Sequence, residues 1–152
     1  MEIERKFLCG DVDLKGCSSF VIEQFYISYC PEIRLRKRKG TETEFFITVK
    51  SKGKMVRQEH ELEIDSEVYG ALKKIKKGLI IRKTRYIKKL SGNLNAEIDF
   101  YDGNHHGLKI VEVEFKNEKE AKEFTPPNWF LDDVTNLSEY KNSFLSKSSK
   151  KN

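Results

Sequence analysis

The chain has 152 residues, a formal net charge of +5, 35% charged residues and 38% hydrophobic ones, a length suited to one domain with its own core. The charge is not a nucleic-acid footprint: Lys147, Lys150 and Lys151 supply three of the five, leaving +2 for residues 1–146, where bases are interleaved with acids. No apolar run reaches transmembrane length and no signal-peptide core precedes the first strand, so a cytoplasmic protein is expected, with no membrane and no nucleic acid among its partners; the odd set Cys9, Cys17 and Cys30, without ligand spacing, reads as reduced thiols.

Residues 1–8 open the chain as a strand. Side chains on a strand alternate between faces, so Glu2, Glu4 and Lys6 point one way and Ile3 and Phe7 the other. Two carboxylates about 7 Å apart on a rigid strand can share a hard cation. A polar turn region, 10–19, leads to a second strand over 21–29, with Gln24, Tyr26 and Ser28 on one face and Phe25, Ile27 and Tyr29 on the other. The third strand, 33–38, aligns Arg34, Arg36 and Arg38. The fourth, 44–50, carries Thr48 and Lys50 opposite Phe45, Ile47 and Val49, and the fifth, 56–64, aligns Arg57, Glu59, Glu61 and Glu63. Asp65 or Ser66 caps a helix running to about Lys76, with Val68, Leu72 and Ile75 as its apolar stripe, a solvated lysine run at 73–77 and Gly78 as its stop. The sixth strand, 79–90, places Lys83 and Arg85 together. The seventh, 95–102, sets Glu97 and Asp99 against Ile98 and Phe100, and the eighth, 108–115, sets Glu112 and Glu114 against Val111, Val113 and Phe115. His105 and His106 lie between these last two in a glycine-flanked surface loop. Asn117 caps a short helix to about Phe124, Pro126-Pro127 ends it, Trp129-Phe130-Leu131 plugs the core, and a last helix covers about 137–145. One domain, 1–145, is expected, followed by a disordered basic tail, 146–152.

Each of these eight strands has a charged face and an apolar face. An open antiparallel sheet with one wet face satisfies that pattern. The charges, however, come in blocks of one sign rather than mixed as solubility requires, and such blocks on neighbouring strands repel unless something lies between them. A closed eight-stranded antiparallel β-barrel, an α+β fold with helices packed outside, turns those faces into a lumen large enough for side chains or one small ligand. Arginine forks and lysine point charges bind phosphate oxygens, and carboxylates hold Mg²⁺ or Mn²⁺. Acids and bases together point to a metal-dependent polyphosphate enzyme rather than a simple anion binder.

Glu2-x-Glu4-x-Lys6 resembles the signature of the CYTH superfamily, the triphosphate tunnel metalloenzymes. Arg34-x-Arg36, Thr48-Val49-Lys50, Glu59-x-Glu61, Lys83-Thr84-Arg85, Glu97-x-Asp99, Glu112-x-Glu114 and Tyr140-x-Asn142 follow in the same order, so the likeness spans nearly the whole chain. The resemblance implies an eight-stranded tunnel, a triphosphate-containing small-molecule substrate and one or two divalent metals. It assigns Glu2, Glu4, Glu112 and Glu114 to metal, with Asp99 as a further acidic member. It assigns Lys6, Arg34, Arg36, Lys50, Lys83 and Arg85 to phosphate, and Glu59 and Glu61, with Lys6, to catalysis. Arg38, Arg57, Glu63 and Glu97 extend the charged faces to an extent the pattern does not define. The activity expected is hydrolysis of inorganic tripolyphosphate or a related triphosphate. Class IV-type adenylate cyclase, thiamine triphosphatase and a non-catalytic polyphosphate sensor share the same charges, and both a monomer and a homodimer accord with the sequence.

Overall fold

The computed structural model describes residues 1–147. Among them the eight expected strands are all present, and two differences raise the number to ten. The elements in chain order are β1 (Glu2–Cys9), β2 (Ser18–Tyr29), β3 (Glu32–Lys39), β4 (Thr43–Lys50), β5 (Val56–Arg57), β6 (Glu59–Ile64), α1 (Ser66–Lys73), β7 (Lys77–Lys89), β8 (Asn95–Asp102), β9 (Lys109–Glu114), α2 (Glu118–Glu123), β10 (Phe130–Asp133) and α3 (Asn142–Leu145). The fifth expected strand is broken at Gln58 into β5 and β6. The second addition, β10, comes from the Trp129-Phe130-Leu131 stretch and pairs with β1.

Antiparallel neighbours follow the order β10-β1-β9-β8-β7-β2-β3-β4-β6. The break at Gln58 is what nearly closes the curl. β6 stays on β4, while β5 crosses to β1, pairing Arg57 with Glu2 and Val56 with Ile3, and the Glu4 amide donates to the Met55 carbonyl at 3.0 Å. The result is a barrel whose strands alternate inward and outward residues.

The outward faces are apolar and largely covered, although Val21, Val49 and Leu62 stay exposed. Ile3, Phe7, Ile98, Val111 and Val113 are buried beneath α2 and β10, with Phe130 edge-on to Phe7 at 4.9 Å. Phe25 and Leu35 are buried beneath α1. Asp65 caps α1, its Oδ1 accepting from the Val68 amide at 2.8 Å. The buried stripe of α1 is Tyr69 with Leu72, not the expected Val68, Leu72 and Ile75: Val68 is 43% and Ile75 60% exposed. Tyr69 packs on Phe25 and Phe45, and its hydroxyl donates to Glu23 at 3.0 Å. The helix therefore rolls by one position toward a hydroxyl partner that hydrophobicity alone does not reveal. It also ends at Lys73, and Lys73 is an anchor rather than a solvated lysine, donating to Glu23 at 3.0 Å.

The helices do not all pack outside. At one end of the barrel the inward face turns apolar, with Ile81, Tyr101 and Ile110, two residues from Lys83, Asp99 and Glu112 respectively, packed around the fully buried Leu145 of α3. The C-terminal segment thus stops that end of the lumen. Three contacts fix it. The Leu79 amide donates to the Ser146 carbonyl at 2.6 Å, the Tyr29 and Ser146 hydroxyls lie 2.6 Å apart, and His105 Nε2 donates to the Leu145 carbonyl at 2.6 Å. His105 is accordingly buried, not in an exposed loop, whereas His106 is exposed. Gly78 belongs to β7 rather than to the end of α1. Its φ of +70° and the Ser146 carbonyl against it leave no room for a Cβ. Ser146 is buried as well, so the ordered segment reaches past 145, while 148–152 of the expected tail lie outside the described residues. No helix among the described residues is long and apolar enough to cross a membrane.

Candidate active site

The inward faces of the strands enclose a cavity of about 200 Å³. Lys6, Arg34, Arg36, Lys50, Arg57, Arg85 and Lys141 line it beside Glu2, Glu4, Glu32, Glu59, Glu61, Glu97, Glu112 and Glu114, with Tyr26, Asn142 and Ser143 completing the wall. Seven cations face eight carboxylates, so the lumen is nearly neutral as a whole but sharply divided locally. Period-two alternation delivers each group: Glu2, Glu4 and Lys6 from β1, Arg34 and Arg36 from β3, Lys50 from β4, Glu59 and Glu61 from β6, Arg85 from β7, and Glu112 and Glu114 from β9.

Register decides which charges meet. Lys6 stands opposite Glu112 and Lys50 opposite Glu59, and Arg85 stands opposite Asp99. Lys50 Nζ lies 3.0 Å from Glu2 and 3.4 Å from Glu59, while Lys6 Nζ lies 3.7 Å from Glu112. Arg85 grips Asp99 with two bonds of 2.7 and 2.8 Å and reaches Glu112 at 3.0 Å and Glu97 at 3.4 Å. Arg34 donates to Thr48 at 3.4 Å and lies 3.9 Å from Glu61. Two pairs set acid against acid, Glu4 opposite Glu114 and Glu97 opposite Glu112, an arrangement that is repulsive without a cation between.

The titration of these groups follows. Burial, then Glu112 and Glu2, pushes the Glu4 carboxyl up to about 8. Burial and the neighbouring acids Glu2, Glu97 and Glu59 raise Glu114 as well. Burial would also raise Glu112, but Lys6, Arg85 and Lys83 overcome it and hold that carboxyl well below the usual range. Glu59 is raised by burial and by a hydrogen bond with Glu2. Among the cations, burial and the charges of Arg34 and Arg85 bring Arg36 down to about 9.

A divalent cation fits the Glu2, Glu4 and Glu114 region by donor chemistry and charge: the donors are hard carboxylate oxygens, and the nearby lysines do not offset the burial and neighbouring acids that raise Glu4 and Glu114. Among the described residues, no three acidic, histidine or cysteine side chains converge as a ready-made metal cage. Glu2 is turned to Lys50 and Glu112 to Arg85, so a metal there would compete with those bases for the two carboxylates.

Of the residues expected in the site, Lys83 and Asp99 stand in the wall behind the cavity. Both are fully buried and paired at 2.7 Å, with Asp99 also held by Arg85. Both Asp99 oxygens are therefore engaged by protein cations and stand apart from the cavity. Glu97 and Arg57 do reach the cavity, whereas Arg38 is turned to Glu44 at 2.6 Å and Glu63 is exposed. Sequence reading missed Tyr26, Glu32, Lys141, Asn142 and Ser143. Tyr26 shows a signal in retrospect, as it shares the polar face of β2 with Gln24. Asn142 has a weaker one, since it belongs to the Tyr140-x-Asn142 element; its Oδ1 accepts from Tyr101 at 2.6 Å and from Lys83 at 3.4 Å.

A nearly closed antiparallel barrel with a lumen of paired bases and acids is a class suited to a compact polyanion together with a hard cation. Relatives of known description agree. The chain is 38% identical over 147 residues to the inorganic triphosphatase of Nitrosomonas europaea, covering 95% of each chain. It is 31% identical over 154 residues to the inorganic triphosphatase of Acetivibrio thermocellus, covering 99% of this chain and 96% of that one. The crystal structure of the inorganic triphosphatase NE1496 superposes with a TM-score of 0.73 at 36% identity, over 99% of this chain and 97% of the other. A putative adenylyl cyclase from Hippeastrum, described as having a dominant triphosphatase activity, shares the fold at a TM-score of 0.63 and 14% identity, over 80% of this chain and 83% of the other. No protein-family model matches the chain. The chain belongs to the inorganic triphosphatase family.

Proposed function

We propose that the protein is a triphosphate tunnel metalloenzyme of CYTH type that hydrolyses inorganic tripolyphosphate with Mg²⁺ or Mn²⁺. The observation that carries this reading is the cavity wall: apart from Tyr26 it consists of charged and small polar residues, with no aliphatic or aromatic platform for a nucleobase or a thiamine ring. A bare polyphosphate chain matches such a wall along its whole length, whereas the base of ATP would have to lie outside it.

Lys6, Arg34, Arg36, Lys50 and Arg85 bind the phosphate oxygens by charge-assisted hydrogen bonds. Lys83 adds positive potential from behind and keeps Asp99 paired. Glu59 and Glu61 orient the attacking water, with Glu59 suited to take its proton because burial and Glu2 hold its carboxyl above the ordinary value. The water oxygen bonds to a terminal phosphorus, the phosphoanhydride bond breaks, and orthophosphate and pyrophosphate result. Positioning and electrostatic stabilisation supply most of the acceleration in such a reaction. Glu2, Glu4, Glu112 and Glu114 would hold a divalent ion, which would supply electrostatic stabilisation of the charge developing in phosphoryl transfer.

Product analysis by phosphorus NMR tests this, with tripolyphosphate, ATP and thiamine triphosphate offered separately with Mg²⁺ or Mn²⁺. Tripolyphosphate should yield orthophosphate and pyrophosphate at least about tenfold faster than either organic triphosphate is cleaved. Cyclic AMP as the main product from ATP would identify a cyclase instead, and tight tripolyphosphate binding without turnover would identify a sensor.

A further inference from the structure

Arg36 differs from the other lumen arginines in what holds it; Lys141 also lacks a carboxylate within 4.0 Å among the described residues, but its Nζ is turned to the Gly53 carbonyl at 2.7 Å. Lys6, Arg34, Lys50, Arg57 and Arg85 each have a carboxylate within 4.0 Å. Among the described residues Arg36 has no such ion pair. Its Nε and Nη2 both donate to one atom, Oε1 of Gln24, at 2.9 and 2.8 Å. Gln24 stands directly across from Arg36 in the β2–β3 register, is fully buried, and does not line the cavity. The amide orientation is set by chemistry, since two guanidinium donors require the oxygen and exclude the nitrogen. Gln24 Nε2 consequently has no partner. A buried polar side chain that satisfies only half of its groups is a poor core filler, and leucine or methionine would fill that space without the cost.

We propose that Gln24 is a positioning residue for substrate: it fixes the Arg36 guanidinium against the cavity while leaving its positive charge uncompensated, so that Arg36 is the lumen arginine most open to the triphosphate. Glutamate at the same position would hold the guanidinium in the same geometry but spend its charge inside the protein. The choice of amide over carboxylate is what distinguishes Arg36 from Arg85, which is already engaged by Asp99, Glu112 and Glu97. The inference rests on the triphosphate reading above.

The test is calorimetric titration of the metal-free protein with tripolyphosphate for wild type, Gln24→Glu, Arg36→Gln and the double variant. Gln24→Glu keeps the side-chain shape and should fold with the wild-type melting temperature, yet bind tripolyphosphate about tenfold or more weakly. In the Arg36→Gln background the same change should have much less effect, because the charge it cancels is gone. With saturating metal, Gln24→Glu should raise KM for tripolyphosphate more than it lowers kcat, a split that a purely structural residue would not produce. Should Gln24→Glu fail to fold, Gln24→Met removes the acceptor without adding charge and is expected to weaken binding as well. Binding within twofold of wild type in the folded Gln24 variant would overturn the proposal. Equal losses with and without Arg36 would overturn it too, because Gln24 would then act by its own charge. Wild type that does not bind tripolyphosphate would overturn the triphosphate reading itself, and this inference with it.

Discussion

Replacing Arg85 by methionine is expected to lower the unfolding free energy by about 3–5 kcal/mol, the range found when one partner of a buried ion pair is removed. Arg85 is 6% exposed and serves three carboxylates from one guanidinium: Asp99 on β8 through two bonds, Glu112 on β9 and Glu97 on β8. Methionine keeps much of the volume, so the loss is electrostatic rather than a cavity. Without Arg85, Glu97 stands across from Glu112 with no base between them, and Asp99 keeps only Lys83. The companion change Asp99→Asn should recover part of the loss, because it removes one of the stranded charges. Chemical denaturation of the two variants and wild type measures both effects. A loss under about 1 kcal/mol would mean that solvent or rearranged lysines screen the cluster far more than its burial implies.

The second large effect is expected at Glu4. Glu4→Gln should reduce metal-dependent turnover of tripolyphosphate by about 100-fold or more, since an amide offers the metal a neutral oxygen where the carboxylate offers an anionic one. The variant should fold at least as well as wild type: Glu4 lies opposite Glu114, and burial with Glu112 and Glu2 already disfavours its charge. Tripolyphosphate binding without metal should be unchanged or tighter, because one repelling acid is gone from beside Lys6 and Lys50. Turnover against metal concentration, together with metal-free binding, separates these effects. Wild-type turnover at limiting metal would move the metal site away from Glu4, toward Glu59 and Glu61.

The barrel was legible because the signal for a two-faced strand is strictly local. Glu2-x-Glu4-x-Lys6, Arg34-x-Arg36 and Glu112-x-Glu114 declare an inward face within a few residues, and all seven of these charged positions in those three strands line the cavity. What the sequence could not declare depends on chain crossings. The break at Gln58 is one unremarkable residue, yet it sends Arg57 to β1 and brings the barrel round. β10 is four residues long and follows two prolines, so neither length nor periodicity marks it. Lys141, Asn142 and Ser143 enter the cavity wall only because Leu145 and Ser146 lock the C-terminal segment into one end of the barrel, a tertiary event with no periodic pattern. The glycine neighbours of His105 predict an exposed loop, but the same segment supplies its buried carbonyl partner. Lys83 and Asp99 show the converse limit: alternation gives their face correctly, while their depth behind Arg85 is fixed by packing.

The most direct test is a crystal grown with tripolyphosphate and Mn²⁺, with the manganese placed by its anomalous scattering. The triphosphate should lie inside the barrel against Arg34, Arg36 and Lys50, with manganese beside Glu4 and Glu114 and the Lys50–Glu2 and Arg85–Glu112 pairs loosened to admit it. Tripolyphosphate and manganese bound on the outer surface, with those two pairs still closed across the lumen, would contradict the assignment of the tunnel as the active site.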